Sequence, residues 1–177
     1  MQSERSFPLW LRAAIPLMLA LLLSLSGLPA PLRQTYRTAQ EARETNNPAG
    51  EARALAQIAA WQPWQKGLWE EAGLQALKGG ELEVAIQYLQ KAQSLGYLSR
   101  VGYLGLAEAY ELTNNTQAAG LIWEELAQSA APSSEVHEKL SQFFWQSGEL
   151  DRALSLAQSW VVIYPENPQA NLRVGLL

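Results

Sequence analysis

Cysteine is absent from the 177 residues, and histidine occurs once. The first absence removes disulfides, thiolate metal sites and thiol nucleophiles. It leaves the compartment open, because oxidising spaces tolerate cysteine-free proteins. The lone His137 leaves only carboxylates as further metal ligands, and the neighbours Glu70-Glu71 and Glu124-Glu125 point to different faces of a helix. No metal or cofactor is expected. Positive charge is also scarce: 13 Lys and Arg stand against 17 Asp and Glu, a net charge of -4. That is the wrong sign for a face that displaces counterions from phosphates, so nucleic acid is not an expected partner. Gly79-Gly80 lacks the Lys and Ser/Thr of a phosphate loop, and no nucleophile motif accompanies His137. Glu108 and Glu111 share a helix face at i and i+3, but hydrolytic carboxylate pairs flank a bond across a cleft. They read as solvated charges, and the chain is expected to have no enzymatic activity.

What is present is globular in composition, 48% hydrophobic and 17% charged. Between Arg12 and Arg33 run twenty uncharged residues, AAIPLMLALLLSLSGLPAPL, about the length a helix needs to cross a bilayer. Residues 1–32 are therefore a membrane anchor or a signal segment. As an anchor, the stretch stays in place with Arg12 reaching the headgroups. As a secretory signal, its apolar centre is Ile15 to Leu28, and Ser24-Leu25-Ser26 supplies the small residues for cleavage, giving a mature form that begins near Gly27. The first reading predicts a single-pass membrane protein with its long carboxyl-terminal domain outside the cytoplasm, the second a secreted one. Arg5 and Arg12 before the stretch and Arg33, Arg37 and Arg43 after it nearly balance, so charge does little to orient it.

Downstream, helix-forming stretches alternate with breakers. Asn46-Asn47-Pro48 separates two short helices. Helices are then predicted from Leu68 to Leu77, Leu82 to Ser94, Arg100 to Leu112, Gln117 to Ala130, Glu135 to Gln146 and Leu150 to Ile163. Ser133 or Ser134 can cap one of them. Asn114-Asn115-Thr116 matches a glycosylation acceptor, but a turn suffices to explain it. The phrase GGELEVAIQYLQKA (79–92) returns as SGELDRALSLAQSW (147–160), and midway between them stands the worn version NNTQAAGLIWEELA.

Slots recur at one constant interval: Trp69, Tyr103, His137 and Asn171; Ala72-Gly73, Leu106-Ala107, Leu140-Ser141 and Val174-Gly175; Ala76, Tyr110 and Phe144; Ala85, Ala119 and Ala153, followed four residues on by Leu89, Trp123 and Ala157. Paired helices with these slots and this period, about 34 residues, resemble the tetratricopeptide repeat. The resemblance implies an all-α helix-turn-helix solenoid following the N-terminal helix, and it looks like the membrane-anchored tetratricopeptide proteins of bacteria. Residues 33–66 form a diverged first repeat, with Ala52 standing one place off the interval before Ala85 so that the register slips by one, and residues 67–177 form three repeats plus a partial fourth. Small residues allow close approach, and Gly73, Ala107 and Ser141 are expected to face Ala85, Ala119 and Ala153. His137, in the Trp slot, reads as a half-buried packing residue. The last helix leaves Leu172, Val174, Leu176 and Leu177 uncovered, so it is either a stub cap on Leu150 to Ile163 or the start of a longer array.

By the same resemblance, the first helix of each repeat lines a groove that holds a partner segment. The lining would be Glu70, Glu71, Leu74 and Lys78, then Leu104, Glu108, Glu111 and Leu112, then Glu138, Lys139, Gln142 and Trp145. Five Glu against two Lys favour a basic or neutral segment, with Leu104, Leu112 and Trp145 as apolar anchors. The expected function is a membrane-tethered, non-catalytic scaffold for a protein or peptide partner. The alternatives are a regulatory front module of a longer enzyme, or an assembly protein that associates with itself through the carboxyl-terminal helix.

Overall fold

Each helix hairpin turns on one residue with a left-handed backbone. Asn46 (φ 51°), Gly80 (φ 74°), Asn114 (φ 57°) and Gly148 (φ 77°) hold these positions, evenly spaced by the repeat interval. Glycine, or asparagine with its short polar side chain, enters this region at little cost, which is why the four turns read TNN, GGE, TNN and SGE. The residue after each donates its amide five residues back: Asn47 to Ala42 (2.8 Å), Glu81 to Ala76 (3.0 Å), Asn115 to Tyr110 (2.8 Å) and Glu149 to Phe144 (2.8 Å). These bonds satisfy carbonyls that the helix end leaves open. The side chains of Asn47 and Asn115 then cap the next helix, on the amides of Gly50 (2.9 Å) and Ala118 (3.2 Å).

The computed structural model describes residues 30–128 and 133–176. Nine helices follow one another among the described residues: α1 (Ala30–Glu44), α2 (Pro48–Trp61), α3 (Leu68–Lys78), α4 (Leu82–Ser94), α5 (Arg100–Leu112), α6 (Thr116–Ala127), α7 (Ser134–Gln146), α8 (Leu150–Ile163) and α9 (Pro168–Leu176). Contacts gather the chain from Thr35 onward into one body. Most of the uncharged stretch 13–32, and with it the expected anchor or signal, lies outside the described residues. Among the described residues no helix is long and apolar enough to cross a membrane. Consecutive helices from α2 to α9 pack on one another, and α3 also touches α5, the contact of one first helix with the next that a solenoid uses.

The second helices begin at Pro48, Leu82, Thr116 and Leu150, evenly spaced throughout, so the expected one-residue slip in the first repeat does not occur. The slot of Ala85, Ala119 and Ala153 is filled there by Glu51 rather than Ala52. Glu51 is only 4% exposed, and its carboxylate meets the Arg43 guanidinium at 2.6 Å, the partner that a buried charge requires. Leu55 follows in the slot of Leu89, also buried.

The close crossing is real but lies one turn from where the sequence places it. A methyl added at Gly73 would stand 2.5 Å from Leu89 Cγ and 3.1 Å from the Leu89 backbone nitrogen. Gly73 therefore faces Leu89, while Ala85 packs with Ala76, Ala52 and Ala109. Leu89, Leu106, Trp123, Val136, Leu140 and Phe144 continue the core through the array. His137 is more buried than its half-buried reading. Its ring stacks on Trp160 at 6.2 Å, meets Tyr164 edge-on at 6.0 Å, and lies with Nδ1 3.1 Å from the Ser133 carbonyl. Ser133 caps α7 through the Val136 amide. Ser134 instead accepts from Trp160 Nε1 at 3.2 Å and Asn167 Nδ2 at 2.7 Å. Helix α9 rests on α8 through the buried Ala170, and Leu172 and Leu176 remain exposed.

Neighbouring repeats are tied at a second recurring interval. Arg43 reaches Glu71 (2.8 Å), Lys139 reaches Glu111 (2.6 Å) and Arg152 reaches Glu124 (2.7 Å), while Arg53 pairs with Glu81. Each pair spans 28 residues. Between α3 and α5 the same slot is apolar: Leu77 and Leu74 close over Gly105, 3.6 and 2.7 Å from where its Cβ would be.

Candidate functional site

The twelve side chains expected to line the groove fall into two sets. Six are engaged inside the protein. Glu70 accepts from the backbone amide of Ser99 at 2.7 Å and from its hydroxyl, tying α3 to the start of α5. Glu71 holds Arg43. Leu74 and Leu104 pack against the core. Glu111 accepts from Lys139 and, at 3.0 Å, from Trp123 Nε1, so it is not the solvated charge that its spacing from Glu108 suggests. The other six, Lys78, Glu108, Leu112, Glu138, Gln142 and Trp145, are exposed and bond to no other described side chain.

This division alters the electrostatics. Of five Glu and two Lys, the unengaged charges are Glu108, Glu138 and Lys78, so the field on this face is weaker than the raw count implies. The structure brings Glu111, Lys139 and Gln142 together around a cavity of about 170 Å³ floored by Trp123 and Phe143. Glu70, Glu71 and Leu74 line a second hollow of about 470 Å³ with Lys66, Tyr97 and Ser99. Lys78 lies apart from both, beside Asn47, Glu51 and Gln75.

Sequence reasoning gave no site role to two residues that shape this face. Arg43 joins Glu51 and Glu71, and its hydrogen bond to Glu51, followed by the charges of both carboxylates, raises its pKa above the ordinary guanidinium value. Lys66 stands with Nζ 4.8 Å above the Tyr97 ring. Arg43 was findable: it lies two repeat intervals before Glu111, in the same slot at the end of a first helix. Among the described residues no cluster of His, Asp or Glu is arranged to hold a metal ion.

No known family model and no curated protein matches the sequence. Solved structures do match the fold. A crystal structure of MamA protein aligns over 82% of this chain and 79% of its own at TM-score 0.64 and 21% identity. MamA 41-end from Desulfovibrio magneticus RS-1 aligns over 85% of each chain at TM-score 0.63 and 13% identity. A kinesin light chain of Podosopora anserina with nearly identical TPR-like repeats aligns over 83% and 84% at TM-score 0.54 and 17% identity. The fold is a tetratricopeptide-like solenoid. In these terms α1 with α2, α3 with α4, α5 with α6, and α7 with α8 are four repeats of one tetratricopeptide-like array. Helix α9 occupies the place of the next first helix.

Proposed function

We propose that the array is a non-catalytic scaffold, tethered to a membrane by its N-terminal apolar segment, that holds a partner segment against the face of its first helices. One observation carries the binding part. Glu108, Leu112, Glu138, Gln142 and Trp145, on the adjacent repeats α5 and α7, are exposed and bond to no other described side chain, although their neighbours Glu111 and Lys139 are locked together. The fixed Glu111–Lys139 pair holds the two helices in register, and the open groups beside it have hydrogen-bonding and apolar capacity that the fold leaves unused. With two carboxylates open on these helices, the partner is a neutral or weakly basic segment bearing an apolar residue for Trp145 and Leu112. The uncharged stretch 13–32 supports the tether, and the absence of cysteine is compatible with a domain outside the cytoplasm.

The discriminating variant is Glu108→Lys with Glu138→Lys, which spares Glu111 and its internal bonds. Partner capture by the immobilised chain should fall while far-UV circular dichroism stays unchanged. Undiminished capture would move the site off this face.

A further inference from the structure

The hairpins sort their connections onto two edges. Turns from a first helix to its second, residues 45–47, 79–81, 113–115 and 147–149, hold only Thr, Asn, Gly, Ser and Glu. The opposite edge carries two open indoles. Trp61, the last residue of α2, and Trp64 expose 58% and 69% of their surface on either side of Pro63, Leu95 and Tyr97 are open in the next connection and Ile163 is open at the end of α8, while beside the polar turns the open apolar residues are Leu112 and Leu150. Elsewhere in the array Trp123 and Trp160 are buried and Trp69 packs on Tyr88, while Trp145 is open on the face assigned above to a partner.

The aromatic edge is also where the chain enters the array. The Tyr36 hydroxyl, early in α1, donates to Gln62 Oε1 at 2.7 Å, and Gln65 Nε2 bonds the same oxygen at 2.7 Å. The segment carrying both tryptophans, the end of α2 and the connection after it, is thereby pinned beside Tyr36. Only three residues separate Tyr36 from Leu32, the last of the uncharged stretch.

We propose that this edge, led by Trp61 and Trp64, docks into the headgroup layer of the bilayer that holds the N-terminal segment. The inference rests on the tether reading. Indoles favour this layer because one part of the ring is apolar while its N–H needs a polar partner. Lys66, in the same connection, presents a cation to anionic lipid. A tether alone would let the array swing. Two interfacial tryptophans give it a second point of attachment.

The missing cysteines make the test direct. A nitroxide is attached to full-length protein at Pro63→Cys, between the tryptophans, or at Ser147→Cys on the opposite edge, and the chain is reconstituted in phosphatidylcholine–phosphatidylglycerol vesicles. The ratio of oxygen to nickel-chelate accessibility should be several-fold higher at 63 than at 147. It should return to the value at 147 when Trp61→Gln and Trp64→Gln are added. Equal values at 63 and 147 in vesicle-bound protein would overturn docking and leave the tryptophans as a protein-binding edge. A high value at 63 that ignores the tryptophan substitutions would overturn it too, since nearness to the tether then explains everything. Release of the whole chain by alkaline carbonate is a separate outcome: it removes the tether, and the docked edge with it.

Discussion

Replacing Gly73 with alanine sets two effects of opposite sign against each other. Within α3, alanine is favoured over glycine by about 1 kcal/mol through helix propensity. The added methyl would stand 2.5 Å from Leu89 Cγ, 2.8 Å from its Cδ2 and 3.1 Å from its backbone nitrogen. The nearest atom is the branch point of a fully buried side chain and another is backbone, so rotamer change alone cannot clear the space and α4 must shift. Overpacking of this kind costs about 1–3 kcal/mol, and because the backbone is involved the upper half of that range applies. The net loss is about 1–2 kcal/mol, which lowers Tm by about 3–6 °C for a body of this size. Thermal melts followed at 222 nm measure it. Leu89→Ala supplies the control: truncation removes the two side-chain clashes and leaves only the 3.1 Å approach to the backbone nitrogen, so Gly73→Ala should then cost much less than it does with Leu89 intact. A rise in Tm with Leu89 intact, or the same shift in both backgrounds, would show that the two helices do not cross closely here.

Arg43→Ala should lower Tm, because it strands the buried Glu51 carboxylate, and adding Glu51→Ala should recover most of the loss by restoring the alanine that the other repeats carry in that slot; a double variant no more stable than the single would refute the pairing. The Tyr103 hydroxyl donates to Glu125 at 2.6 Å, and that bond, with burial, holds its pKa above the ordinary 10.0. A group with a raised folded pKa stabilises fully below its unfolded value and loses that contribution as pH rises through the folded one. Absorbance at 295 nm should therefore show a tyrosine ionising late. Tyr103→Phe should remove that late step and flatten the alkaline fall in Tm, and a titration unchanged by the substitution would count against the bond.

The repeat architecture was legible because its signals are local. The bounds of α4, α5 and α8 follow from glycine, asparagine and proline placed just beyond them. The first repeat hid its register because Glu51 puts a charge where a small apolar residue is expected, and the nearby Ala52 drew the alignment one place aside. The repeated TNN at 45–47 and 113–115 carried the correct register all along. Of the expected groove, only the sharing of a helix face was legible. Helical periodicity shows which side chains share a face, but not that Glu70 will find Ser99 or that Glu111 will find Lys139 and Trp123. Those partners lie in other helices, and their meeting depends on how repeats stack. The pairing of Gly73 with Leu89 escaped for the same reason, since the axial offset of two antiparallel helices is set by packing.

The pairs that tie first helices together also specify their order. At the end of α1 the cation comes first, Arg43 reaching Glu71; at the end of α5 the polarity is reversed, Glu111 reaching Lys139; at the α3–α5 junction the slot carries no charge. A chain that skipped two repeats while folding and laid α7 against α1 would bring Arg43 to Lys139, cation against cation. Near-identical modules invite that kind of misthreading, and here the inverted polarity makes the wrong neighbour repel while the right one attracts.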